Sequence, residues 1–218
     1  MGRVNCVAFG GEGDSVVVSG SFDASVRLWD CKSQSVKPIQ IFEEARDSVS
    51  GLWVGGHDIV TGSVDGRMRV YDLRMGMVFA DVIGRMLAHR PRHYQCLYAF
   101  ADAVDVCYTA PITSVEQTQD GNAVLVSALD STIRLMDKGN GQMLQSYRGH
   151  TNKDYRVRSC LGLADAVVIS GSEDGQLYAW DSLEGRVIEK LKAHGGKVAS
   201  AVACNGARKE WASAGVDG

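Results

Sequence analysis

The stretch from Ser170 to Asp181, SGSEDGQLYAWD, decides the fold because it returns elsewhere in the chain. A small-residue run closed by Asp occurs five times, as SGSFD (Ser19 to Asp23), TGSVD (Thr61 to Asp65), VSALD (Val126 to Asp130), SGSED (Ser170 to Asp174) and SAGVD (Ser213 to Asp217). In the first four copies a second element follows six residues after the Asp, at Trp29, Tyr71, Met136 and Trp180, and the next residue is always Asp: Asp30, Asp72, Asp137 or Asp181. The turn aspartates at 23, 65, 130, 174 and 217 are spaced by 42, 65, 44 and 43 residues, a period in the low forties with one long interval. Each period holds short runs rich in β-branched residues, bounded by turn formers, and those runs predict strands. VNCVAF, SVVVSGS, SVRLWD and KPIQIF make the first set of four. No window keeps the helical i, i+3, i+4, i+7 apolar spacing, so the fold is all-β.

A period near 40 to 45 residues with a Trp-Asp dipeptide resembles the WD-repeat family, whose repeats are the four-stranded blades of a propeller. The expected blades cover residues 4–43, 47–84, 111–148 and 155–192, with part of a fifth at 197–218. The resemblance implies a ring of seven blades, so four and a fraction are an incomplete propeller, expected to be unstable alone or completed by something else. Gly149-His150 lies at the family's distance before Asp174, which implies a structural hydrogen-bonded tetrad of His150, Ser170, Asp174 and Trp180. The blade-specific strings around Arg46, Asp47, Tyr71, Arg74 and Met75 resemble one branch of the family, the scaffolds that organise mitogen-activated protein kinase cascades and associate with pre-mRNA splicing. That resemblance implies kinase-cascade components and spliceosomal proteins as partners, and a cytoplasmic and nuclear location. Tyr71-Asp72-Leu73-Arg74 also resembles the box through which substrate receptors bind a cullin-4 ligase adaptor, with Arg74 as the candidate partner contact.

The long interval falls between Ile83 and Pro111, where residues 85–110 interrupt the repeat and the strand pattern resumes in register. Structureless connections beyond about 12–15 residues are uncommon, so a retained intron is a better account than a functional loop. His89, His93, Cys96 and Cys107 lie in this tract, but H-x3-H-x2-C is not a zinc pattern.

Composition narrows the function further. The 218 residues include 25 Gly, 3 Pro and 45% hydrophobic residues, with a net charge of -3. Glycine at this frequency without a triplet period points to frequent turns and close backbone approaches. Basic residues are dispersed and aromatics make up 7%, so neither a phosphate-tracking surface nor a stacking platform for direct nucleic-acid binding is visible. No apolar run approaches the length of a membrane span and no secretory signal opens the chain, so no membrane role and an intracellular location are expected. The six cysteines are dispersed without a CxxC, and Cys6 and Cys160 read as small buried hydrophobes.

An enzyme is not expected. His, Ser and Asp recur with blade spacing rather than on a strained nucleophile turn, so a hydrolase triad is rejected. GGEGD (Gly10 to Asp14) precedes a strand rather than a helix, so it is no phosphate loop, and no cofactor is implied. Arg27, Arg69 and Arg134, one residue before an apolar position of each third strand, are expected on a solvated face. A rigid disc with variable loops suits a scaffold.

Overall fold

The computed structural model describes residues 2–33, 35–72, 77–81, 110–205 and 208–216, with backbone alone at residues 12, 72 and 77–81. Four antiparallel sheets of four strands follow one another, then a sheet of two. The first holds β1 (Val4–Gly10), β2 (Val16–Ser21), β3 (Val26–Asp30) and β4 (Gln40–Phe42). The second holds β5 (Val49–Gly55), β6 (Asp58–Ser63), β7 (Met68–Asp72) and β8 (Met77–Asp81). The third holds β9 (Ile112–Gln117), β10 (Ala123–Ala128), β11 (Thr132–Asp137) and β12 (Met143–Arg148). The fourth holds β13 (Ser159–Gly162), β14 (Val167–Gly171), β15 (Gln176–Asp181) and β16 (Val187–Lys192), and the last pair is β17 (Ala199–Asn205) and β18 (Glu210–Gly215). Within each sheet the strands pair in chain order, the first and second always joined by a hairpin. This is the meander of an incomplete β-propeller. The tract at residues 85–109, Arg74 and Asp217 lie outside the described residues.

The core lies between the sheets. Cys6, Val18, Val26 and Leu28 of the first sheet pack with Val49, Ile59 and Tyr71 of the second. Val60, Met68 and Val70 of the second pack with Ile112, Val115 and Val124 of the third. Leu125, Ile133 and Tyr147 then meet Leu161, Val168, Tyr178 and Trp180 of the fourth, and Cys160, Ile169 and Leu177 meet Ala199 and Val202 of the last pair. An interior sheet is thus covered on both faces, which is why all six residues of β10 are buried and all but Ser127 are apolar. On β1 the alternation instead leaves Val7 and Phe9 exposed.

The glycine inside the repeated SGS or TGS element sets the spacing between sheets. A Cβ on Gly20 would lie 2.6 Å from Val49 on β5, and one on Gly62 or Gly171 would collide with Ile112 or Ala199 of the next first strand. In the third sheet Ser127 holds this position, is buried, and shares a short hydrogen bond with Ser159 on β13. A hydroxyl is accommodated there because a second hydroxyl faces it.

Candidate functional site

The repeated Asp organises one turn four times over. Its Oδ1 accepts the backbone N–H two residues on: Ser25 to Asp23 at 3.1 Å, Arg67 to Asp65 at 3.0 Å, Thr132 to Asp130 at 3.0 Å and Gln176 to Asp174 at 3.0 Å. These are Asx turns, in which the carboxylate replaces a backbone acceptor. The next residue adopts positive φ in every copy, at Ala24 (66°), Gly66 (74°), Ser131 (58°) and Gly175 (79°). Oδ2 meanwhile accepts from the residue four positions on: Arg27 at 3.0 Å, Arg69 at 2.6 Å, Arg134, and Tyr178 at 2.9 Å. The aspartate therefore clamps the second strand to the third.

This corrects the expectation that the strand arginines face solvent. Arg69 and Arg134 are each 2% exposed. Their charge is tolerated because the turn carboxylate is already positioned by the Asx geometry. Burial pushes Asp65 up, but hydrogen bonds from Arg69 and Ser63 outweigh it and hold the carboxyl below its ordinary value. In Asp174 burial is likewise outweighed, here by Ser172, the Gln176 N–H and Tyr178.

The four residues expected as a tetrad lie together but are not linked as one hydrogen-bonded network. Trp180 Nε1 donates to the Arg148 carbonyl at 3.0 Å, and Ser170 Oγ donates to the Gly171 carbonyl at 2.9 Å. The Asp174 carboxylate is met by Tyr178 Oη and Gln176 Nε2 at Oδ2 and by the Gln176 N–H at Oδ1. His150 is 4% exposed, lies edge-on to Trp180 at 5.4 Å between ring centroids, and has no hydrogen-bond partner at either ring nitrogen among the described residues. Burial drives its pKa down to about 4 despite the nearby Asp130, Asp174 and Glu173, so the ring is neutral at neutral pH.

Pairwise parts of such a network do occur in other repeats. Trp29 Nε1 donates to Ser19 Oγ at 2.9 Å, and Tyr71 hydrogen-bonds Thr61, both across ten residues. Val126 and Met136 take the same two places in the third sheet and pack in one apolar cluster. His194 Nε2 lies 3.0 Å from Ser213 Oγ in the last pair. These side chains are spent on joining strands and sheets, and Cys6 and Cys160 are buried free thiols, Cys160 pushed up to about 12 by burial.

The clamp, the Trp-Asp element and the four-stranded period coincide with a family model for the WD domain, G-beta repeat, at residues 1–30 and 141–181. This is a WD-repeat chain. It is homologous to WD repeat domain-containing protein 83: the Rattus norvegicus protein is 39% identical over 191 residues, covering 83% of this chain and 53% of that protein. The Homo sapiens protein of the same name is 42% identical over 168 residues, covering 77% and 45%, and the Danio rerio one is 45% identical over 156 residues, covering 72% and 42%. The chain thus spans about half the length of the curated relatives it matches. The crystal structure of the computationally designed Ika8 protein superposes with a TM-score of 0.71 at 20% identity, over 99% of this chain and 56% of that one, which is a likeness of fold. WD-repeat domains mediate protein–protein interaction, and the family is generally a non-catalytic scaffold.

Proposed function

We propose that this chain is the repeat-bearing part of a non-catalytic interaction scaffold that gathers components of a mitogen-activated protein kinase cascade and, in the nucleus, spliceosomal proteins. The observation that carries the reading is homology to WD repeat domain-containing protein 83 across most of the chain. The geometry supports a scaffold because the recurring Asp, Arg, Ser and Trp side chains hold sheets in place and leave the connecting loops to vary. On this reading the protein distributes between cytoplasm and nucleus and meets nucleic acid only through protein partners. Affinity capture from cells expressing the full-length protein, followed by mass spectrometry, tests it: both partner groups should be recovered, and recovery of neither overturns the reading.

A second reading, a substrate receptor of a cullin-4 ligase, rests on the Tyr71-Asp72-Leu73-Arg74 string. Tyr71 is fully buried in the core between the first two sheets and so is not itself presented to a partner, while Leu73 and Arg74 lie outside the described residues. Loss of adaptor binding in Arg74→Ala would favour it, and unchanged binding would remove it.

A further inference from the structure

In each four-stranded sheet the second strand is paired on both sides, whereas β18 pairs with β17 alone among the described residues. A free strand edge presents N–H and C=O groups that a further strand can use. β18 reads EWASAG, without the lysine or proline that discourages such pairing. Beside this edge runs an apolar groove of about 210 Å³, lined by Leu177 of β15, Ile188 and Leu191 of β16 and Trp211 of β18, with Glu189 and Lys209 also on its wall. Ile188 and Trp211 are 54% and 41% exposed.

The earlier repeats show what fills the equivalent place. The aromatic residue of a third strand packs on the fourth strand of the sheet before it: Tyr71 on Phe42 with ring centroids 4.5 Å apart, and Trp180 on Tyr147 at 6.2 Å. In two repeats the polar end of that aromatic meets a hydroxyl on its own second strand, Trp29 on Ser19 and Tyr71 on Thr61. In the last sheet the matching hydroxyl is Ser213, two residues from Trp211 and therefore on the same face of β18, and the fourth strand before it is β16. Ser213 Oγ lies 3.0 Å from His194 Nε2, and a hydroxyl has capacity for a further donor. Size agrees as well, since an apolar cavity of roughly 150 Å³ already takes up benzene.

We propose that an extended segment of a partner protein adds to the free edge of β18 as an antiparallel strand and seats a Trp or Tyr side chain in the groove, with its N–H or O–H on Ser213. Main-chain pairing supplies the affinity of such an addition, and the pocket for one large side chain supplies its specificity. The occupant continues a packing that the molecule already uses twice, Tyr71 on Phe42 and Trp180 on Tyr147. A second copy of the chain is a poor source, because its aromatic-bearing third strands, β3, β7 and β15, each lie between two neighbours in their own sheets. The site does not depend on which partners the scaffold gathers.

The test titrates the full chain against a fluorescent synthetic peptide with the third-strand sequence of the fourth repeat, DGQLYAWDSL (residues 174–183), and reads binding by anisotropy. Saturable binding is expected, weakened about tenfold or more by Trp180→Ala in the peptide and abolished by N-methylation of alternate peptide amides. In the chain, Ile188→Asp should weaken binding about fivefold or more and, because Ile188 is exposed, leave the unfolding midpoint unchanged. Ser213→Ala should weaken the Trp peptide while leaving a Phe peptide unaffected. Equal binding of the Ala or N-methylated peptide, or indifference to Ile188→Asp, overturns the proposal. A concentration-dependent dimer that excludes the peptide also overturns it, by making a second copy the occupant. So does refusal of the peptide by a longer form of the protein whose own residues hold the edge. If the peptide binds but affinity capture recovers neither partner group, the edge site stands and the named partners fall.

Discussion

Arg69 places Nη2 at 2.6 Å from Oδ2 of Asp65, with the arginine 2% and the aspartate 9% exposed, inside a turn that the same carboxylate caps. The equivalent pair of Arg27 and Asp23 is 22% and 30% exposed. Breaking a buried pair strands a charge and costs about 3 kcal/mol or more, whereas an exposed pair contributes about 1 kcal/mol or less. Arg69→Met should therefore lower unfolding free energy by about 3 kcal/mol and Arg27→Met by about 1 kcal/mol. Urea titrations measure both, and a double-mutant cycle of Asp65→Asn with Arg69→Met should return a coupling of about 1 kcal/mol or more.

The residue after the turn Asp gives a second test. Ala24 and Ser131 hold φ of 66° and 58°, a region that costs a side-chain-bearing residue about 1 kcal/mol. Ser131→Gly should lower stability by about 1 kcal/mol or more, because the Ser131 hydroxyl accepts the buried Asn152 N–H at 2.9 Å and donates to its carbonyl at 3.2 Å. Ala24→Gly should instead leave stability unchanged or raise it by up to about 1 kcal/mol, although glycine also loosens the unfolded chain. Gly175→Ala should do the reverse, because its Cβ would lie 2.8 Å from Gly196 Cα and from the Lys197 carbonyl oxygen. Thermal unfolding of the three variants provides the comparison.

Two buried groups pull the pH dependence in opposite directions. His150 has a folded pKa of about 4 against 6.5, so the unfolded chain takes up the proton first and stability falls as pH drops from 6.5 towards 4. Glu116 accepts the Leu161 N–H at 3.3 Å, yet burial, and then repulsion by Asp165, raise its pKa to about 7. A raised carboxyl has the other sign, and stability falls as pH climbs from 4.5 to 7. His150→Phe should leave a protein that weakens with rising pH over this window, and Glu116→Gln one that strengthens. Each slope should span about 3 kcal/mol, read by denaturant titration at a series of pH values.

Thiol chemistry should follow burial. Cys31 is exposed, whereas Cys6 and Cys160 are buried and burial raises both thiols. Iodoacetamide on the native chain should modify Cys31 and spare Cys6 and Cys160 until denaturant is added, as peptide mapping by mass spectrometry would show.

Strand positions were legible because period-2 patterns and turn residues act locally: KPIQIF and QLYAWD contain β4 and β15. The Asp clamp was half legible. Its Asp stood out by repetition, but its partner four residues on is Arg in three copies and Tyr in the fourth, and an arginine beside alternating apolar residues reads as solvent-facing unless the neighbouring sheet is known. The aromatic–hydroxyl pairs were written in the chain as a ten-residue spacing, Ser19 with Trp29 and Thr61 with Tyr71, with Val126 and Met136 as an apolar counterpart. That Tyr178 donates to Asp174 was not legible, since the partner four residues on is arginine in the other three turns.

The complete burial of β10 has a consequence for how this architecture comes apart. A sheet whose both faces are lined by neighbours has no boundary of its own at which to start losing structure, whereas β1 presents Val7 and Phe9 to water. Stability in such a stack is a sum of nearest-neighbour interfaces, so opening begins at the flanks and advances sheet by sheet, like a zipper. Amide protons of β9 and β10 would be the last to exchange, and the interior of the arc serves as the anvil on which the outer sheets are held.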